Sequence, residues 1–194
     1  MTMNRRATAG GLAFLASILA TCAGAQEAYV IDSSHTTPMY EVTHMGLSHQ
    51  RGWFTHASGR VTIDRAAKAG TIDVSIATAS VATGSAALVG RLKGEDFFAV
   101  DKFPTMNYRS VDLKFDGENV VGAAGELTLR GITRPVALAV TGFRCGANPM
   151  NKRVLCGGEA TATILRSEFG MTWGLPAIVG DEVKITVSFE AARE

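Results

Sequence analysis

The sequence predicts an all-β domain, closed into a barrel or packed as a sandwich, and three observations predict it. Apolar and polar residues alternate with a period of two along most of the chain, as strands with one buried and one wet face require. Gly, Asn and Pro interrupt these runs at short intervals, the punctuation of tight turns. The alternating segments come to about eight or nine, enough to close a sheet on itself.

Taken in order, strands are expected over 28–32, 39–45 and 52–63, followed by one in which Ile72, Val74 and Ile76 oppose Thr71, Asp73 and Ser75. Between Ser80 and Pro104 the alternation stops. There Leu88, Leu92 and Glu95 fall at helical spacing, so a short helix is expected near 86–95, ending beside the pair Phe97-Phe98. The strand over 105–115 changes phase: Met106 and Tyr108 are even-numbered, whereas Val111, Leu113 and Phe115 are odd. A bulge near Arg109 or Ser110 reconciles them. Leu127 and Leu129 alternate with Glu126, Thr128 and Arg130 in a strand over 120–130, and Val136, Leu138 and Val140 define the next. A strand over 154–165 and the long run Val183, Ile185, Val187 and Phe189 complete the set.

The first 25 residues read as a leader. Arg5 and Arg6 precede an apolar run from Gly10 to Ala20, and Ala23-Gly24-Ala25 has the small-x-small pattern of a cleavage site, placing the mature start at Gln26. The run is shorter than the roughly 20 residues a membrane-spanning helix needs, so export with no stable membrane anchor is expected. Lipidation at Cys22 is the rival reading, with Thr21 a poor fit to the residue wanted before the Cys. Residues 26–194 then form one domain, with 17 Lys and Arg against 18 Asp and Glu scattered along it. Such a surface has no electrostatic attraction for nucleic acid.

Once Cys22 is lost with the leader, Cys145 and Cys156 remain, an even pair in a compartment that favours disulfides. The turn-rich segment Gly146-Ala147-Asn148-Pro149 between them lets two strands fold back, so a Cys145–Cys156 bridge pinning a hairpin is expected. Small residues share faces with bulky ones: Ala160 and Ala162 with Ile164, and Ala123 and Gly125 with Leu127. They leave room for a cavity if the barrel is hollow, or receive side chains from the opposite wall if it is packed. The pattern decides neither.

Several stretches, in order, resemble the YceI-like family: Tyr29-Val30-Ile31-Asp32 with His35, Val42-Thr43-His44-Met45-Gly46, Gly52-Trp53-Phe54, Asp96-Phe97-Phe98, Phe103-Pro104-Thr105, Gly125 to Val136, and Arg166-Ser167-Glu168-Phe169-Gly170-Met171. The resemblance covers nearly all of the mature chain. It implies a lipocalin-like, extended antiparallel barrel of about eight strands in a periplasmic protein. It also implies an apolar tunnel holding a polyisoprenoid or similar long-chain amphiphile, such as an isoprenoid quinone, a prenyl phosphate or a fatty-acid derivative, with no enzymatic activity and no cofactor. A homodimer is compatible with it. The chain departs from the family pattern at Arg91, where a His is frequent, and at Glu95, where a Ser is; the stretch 171–176 differs as well.

Expected ligand contacts are Tyr40, Val42, His44, Phe54, Ile63, Phe97, Phe98, Phe103, Tyr108, Phe169 and Trp173, with Val61 a further lining residue. Arg91 and Arg166 are candidates to meet an anionic or carbonyl head group at the mouth, through the planar guanidinium fork. The commoner role of such residues is ordinary core for the apolar ones and solvated or paired charge for the arginines. The four histidines, His35, His44, His49 and His56, lie close in sequence but without zinc-like spacing; no metal site is expected, and His35 and His44 are read as buried hydrogen-bonding residues. No Gly-x-Ser-x-Gly elbow, phosphate-binding Gly-rich loop or His-Glu-x-x-His motif is present, so no catalytic residue is assigned. Two alternatives to a carrier stand: a barrel enzyme acting on a lipid, and an envelope stress protein with no defined ligand.

Overall fold

The computed structural model describes residues 26–194. The expected leader, 1–25, lies outside the described residues. In chain order the described residues form β1 (Glu27–Ile31), β2 (Thr37–His44), β3 (Ser48–Phe54), β4 (Ala57–Asp64), β5 (Ala69–Ala77), the two-residue β6 (Val81–Ala82), helix α1 (Ala86–Lys93), β7 (Thr105–Asp116), β8 (Asn119–Leu129), β9 (Ile132–Ala147), β10 (Val154–Leu165) and β11 (Val179–Arg193). Every ladder is antiparallel, and the sheet closes through β1, β4, β5, β7, β8, β9, β10 and β11 back to β1. The chain is a closed eight-stranded antiparallel β-barrel, not a sandwich. Closure leaves no pair of long free edges, which is the physical gain over an open sheet.

Three neighbouring strands are broken at one level. β1 and β2 are halves of one strand interrupted at Asp32–Thr36, β3 and β4 are interrupted at Thr55–His56, and β5 and β6 at a 3₁₀ turn over Thr78–Ser80. The expected strand over 52–63 is therefore two. The released backbone groups are satisfied locally: Asp32 N–H donates to Glu190 O at 2.9 Å, Ala77 N–H to His56 O at 3.1 Å, and Thr55 N–H to Ser80 O at 3.2 Å. β11 runs past the break, pairing with β2 from Val179 to Ser188 and with β1 from Ala191 to Arg193.

The two ends of the barrel differ. At one, which we call the base, lie the short connections 65–68, 117–118 and 148–153 together with both ends of the described chain. At the other, the mouth, lie 45–47, 130–131 and the two long connections, 78–104 carrying α1 and 166–178 carrying a 3₁₀ turn. The core divides in the same way. A mouth-side cluster includes Phe54, Phe97, Phe98, Met106, Leu127, Phe169 and Met171, and a base-side cluster includes Tyr29, Ile31, Ile63, Leu113, Val120 and Cys156.

The helix begins where Ser85 Oγ accepts from Leu88 N–H, an N-cap, and stops at Gly94. Leu92 is buried and Leu88 packs on the mouth-side cluster, whereas Glu95, past the helix end, pairs with Lys102 at 3.0 Å on the surface. The expected bulge in β7 is present, with the register against β8 shifting between Ser110 and Asp112. Its consequence differs from the expectation in one residue. Val111 is the bulged position and is 84% exposed, so the inward odd-numbered face starts only at Leu113.

Cys145 and Cys156 are directly opposed on β9 and β10, with Cα atoms 4.0 Å apart, and form the disulfide. It spans a sequence separation of 11 residues near the base. Replacing both with serine is expected to cost about 2–3 kcal/mol, read as a thermal midpoint lowered by roughly 4–10 °C in circular dichroism, with the β spectrum retained at 25 °C.

Candidate ligand cavity

The inward faces of the strands do not meet. They enclose a cavity of about 260 Å³ running from Phe97 and Phe98 at the mouth to Leu113, Val120 and Phe143 towards the base. That space is far more than the roughly 10–15 Å³ one water requires. It approaches the roughly 300–1,000 Å³ of small-molecule sites. The hollow alternative is therefore the one observed. The alternation that predicts the strands also places their walls: Ile72, Val74 and Ile76 of β5, Val136, Leu138 and Val140 of β9, and Val183, Ile185, Val187 and Phe189 of β11 all line the cavity.

The wall is hydrocarbon throughout, because each polar group that lines it is turned away or already bonded. Thr36 Oγ1 donates to Glu190 O at 3.2 Å, and Tyr108 OH to Val136 O at 3.0 Å. Burial pushes the phenols of Tyr40 and Tyr108 up to about 12, so both stay neutral at physiological pH. Arg166, 3% exposed, spends its guanidinium on four carbonyls: Nε on Gly180, Nη1 on Met171, and Nη2 on Trp173 and Val179, at 2.7–2.9 Å. Burial works to lower its pKa, and Asp181 works the other way. Asp181 accepts from Ser167 N–H and Oγ at 2.8 and 2.7 Å, a second tie between the 166–178 connection and the start of β11.

Among the expected contact residues, Tyr40, Val42, Phe54, Ile63, Phe97, Phe98 and Tyr108 line the cavity, as does Val61. Phe54 meets Phe98 edge to face with ring centroids 5.3 Å apart and Tyr40 at 6.4 Å, a favoured aromatic arrangement. Others lie elsewhere. Phe169 is fully buried in the mouth-side core behind the wall, and Phe103 packs outside it, near Gly131 and under the Arg130 guanidinium at 5.9 Å. His44 sits at the rim, opposite Ser48 and Val179, and is not part of the cavity lining. Arg166 lines the mouth but holds the loop carbonyls, where the sequence reading gave it a head group.

Trp173 does stand at the mouth. Its ring is 5.8 Å from Phe97, and the Arg91 guanidinium lies over it at 3.8 Å, a cation–π contact that also leaves Arg91 within 3.8 Å of Asp96. His35 is exposed, not buried, and its Nδ1 is 2.9 Å from Asp32 Oδ2, close to Glu190 as well. Ser34 first and His35 second hold the Asp32 carboxyl down to about 2.

The small residues do something other than make room. A Cβ on Gly52 would stand 2.6 Å from the Tyr40 ring, one on Gly125 2.7 Å from the Tyr108 ring and its hydroxyl, and one on Gly158 3.2 Å from the Phe189 ring. Each glycine seats an aromatic ring flat against the wall. Ala160 behaves as expected and lines the open space.

Comparison with known proteins agrees with this geometry. The YceI-like domain pattern matches residues 29–191. The chain belongs to the YceI-like family. A UPF0312 protein of Pseudomonas fluorescens is 31% identical over 195 residues, covering 96% of this chain and 97% of its own; one of Ectopseudomonas mendocina is 31% identical over 170 residues, covering 86% and 87%. Among solved structures, BcnA of Burkholderia cenocepacia superposes with a TM-score of 0.69 at 25% identity, over 82% of this chain and 98% of its own. A polyisoprenoid binding domain from Saccharophagus degradans shares the fold, with a TM-score of 0.62 at 15% identity, over 86% and 98%. This YceI-like chain thus shares its barrel fold with these solved structures, and encloses an apolar space.

Two substitutions separate wall from frame. Arg166→Leu strands buried carbonyls without donors and is expected to destabilise the protein by about 3–5 kcal/mol, measured by urea unfolding. Ala160→Leu projects into open space and is expected to shift the midpoint by less than about 1 kcal/mol while reducing the uptake of the C15 prenol farnesol, followed by native mass spectrometry.

Proposed function

We propose that this YceI-like chain is an exported, non-enzymatic carrier that holds the hydrocarbon part of a polyisoprenoid or similar long-chain amphiphile inside the barrel. The observation that carries this reading is the cavity wall, apolar from base to mouth, with Thr36, Tyr108 and Arg166 beside it already bonded to backbone carbonyls. An alkyl or prenyl chain gives up no hydrogen bond on entering such a space. Each methylene buried there contributes about 0.8 kcal/mol, whereas a polar group would forfeit its water without replacement.

The wall offers no obvious chemistry. Its titratable groups are two tyrosines that stay protonated and an arginine bound to four carbonyls, none a ready base or nucleophile. The Saccharophagus relative in fold, described as polyisoprenoid binding, supports the same class of cargo. Export is supported by the leader pattern of residues 1–25. Since the cavity lies at the lower edge of the size for small-molecule sites, a long chain would fill it and continue into the mouth, leaving its head group beside Arg91 and Trp173.

Expression of the full chain with its leader, followed by native mass spectrometry and organic extraction of the purified protein, tests this. One equivalent of a prenyl or acyl lipid, recovered chemically unchanged, is expected. Protein that emerges empty and also refuses farnesol, a C15 prenol, and a short-chain prenylated quinone would overturn the carrier reading.

A further inference from the structure

The barrel wall is not hydrogen-bonded all the way round at the mouth. On the mouth side of the break, β3 is followed by β6, whose two residues pair only with Trp53 and Phe54, and no ladder joins β6 to β7 among the described residues. The remainder of β3, Ser48 to Gly52, has ladder partners on β2 alone. Over this seam lie α1 and the segment to Val100, supplying Leu92, Phe97 and Phe98 to the cavity wall. Here, therefore, the cavity is enclosed by side chains of an insertion and by no sheet.

That insertion is held by its buried side chains, Leu92, Phe97 and Phe98, and has little stability of its own. An eight-residue helix is too short to be stable by itself. α1 also carries Gly90 in its interior with no atom within 4 Å of where a Cβ would be, and is bounded by Gly84 and Gly94. Gly at an interior helix position costs roughly 0.5–1 kcal/mol relative to Ala, and nothing around Gly90 demands its absence of a side chain. The segment is held down at two points from other connections: Arg91 lies over Trp173 at 3.8 Å, and Arg130 Nη1 donates to the carbonyls of Glu95, at 2.7 Å, and Phe97. Tyr40 underlines how thin the seam is. Its ring lines the cavity from β2 and lies across Gly52 on β3, the last strand before the gap.

We propose that α1 and the following segment to Val100 form a lateral gate, and that cargo enters and leaves through the seam between β6 and β7 when α1 unwinds and the Arg91–Trp173 contact releases. The proposal rests on the carrier reading for its cargo but makes a claim about local stability that holds without one. Local opening of this kind draws on the least stable element of a fold and leaves the rest intact. The barrel ladders need not break, so exchange of cargo is separated from unfolding.

Two measurements test it. Hydrogen exchange of the full-length mature protein, read by mass spectrometry, is expected to show peptides covering 83–100 exchanging at least tenfold faster than those of β8 to β11. Exchange as slow as in those strands overturns the gate whether or not a lipid binds. In the second, protein loaded with farnesol is mixed with excess deuterated farnesol, and replacement is timed by native mass spectrometry. Gly90→Ala is expected to slow replacement roughly two- to fivefold at unchanged final occupancy, and Arg91→Gln to quicken it. Replacement at the wild-type rate in both variants overturns the gate while leaving the carrier reading standing. Farnesol that is never retained defeats the carrier reading instead, and the hydrogen-exchange result then decides the gate alone.

Discussion

Everything in this molecule depends on the double pairing of β11. Fifteen residues long, it holds β10 along one edge and, along the other, first β2 and then β1. Running unbroken past the level at which three neighbouring strands break, it joins both halves of the first of them and closes the ladder at the base through β1. A closed ladder satisfies its own backbone and needs no polar groups inside. Closure permits an apolar interior, and the barrel stays hollow where its inward side chains are too short to meet across it.

The side chains that do reach inward are pinned to the wall. Tyr40, Tyr108 and Phe189 each lie over a glycine, which brings a large ring within van der Waals distance of backbone instead of projecting it across the lumen. Tyr108 is further fixed by its hydroxyl on Val136 O. In a packed barrel such rings would fill the centre; here they thicken the wall and smooth it. The arginine at the mouth serves the frame in the same sense. Arg166 sits at the cavity rim, yet its donors organise the loop that carries Trp173 and Val179.

Much of this was legible in the sequence, and the exceptions have physical causes. Alternation places the wall residues because a pleated strand leaves no choice of face: Val183 to Phe189 could only point the same way. The phase change in β7 could be read from Met106 and Leu113, but which residue absorbed it could not, and Val111 turned out to be the one expelled. Cavity against packed core was undecidable because a glycine looks the same in sequence whether it makes space or seats a ring. The roles of Phe103, Phe169 and Arg166 were missed because each lies in a connection, where no periodicity says which way a side chain turns and where partners come from distant segments. His35 failed for a similar reason: it sits in the break between β1 and β2, where the strand pattern lapses.

The unequal lengths of the connections at the two ends have a consequence for how such a barrel diversifies. At the base, turns are tight and a disulfide ties two strands together, so an insertion there would disturb ladder register. At the mouth, 78–104 and 166–178 already depart from the sheet and return to it, so their length and composition can drift with little effect on the eight strands beneath. Arg91, Glu95 and 171–176 all fall in those two connections. A barrel built this way can be altered at its rim while the container beneath keeps its register.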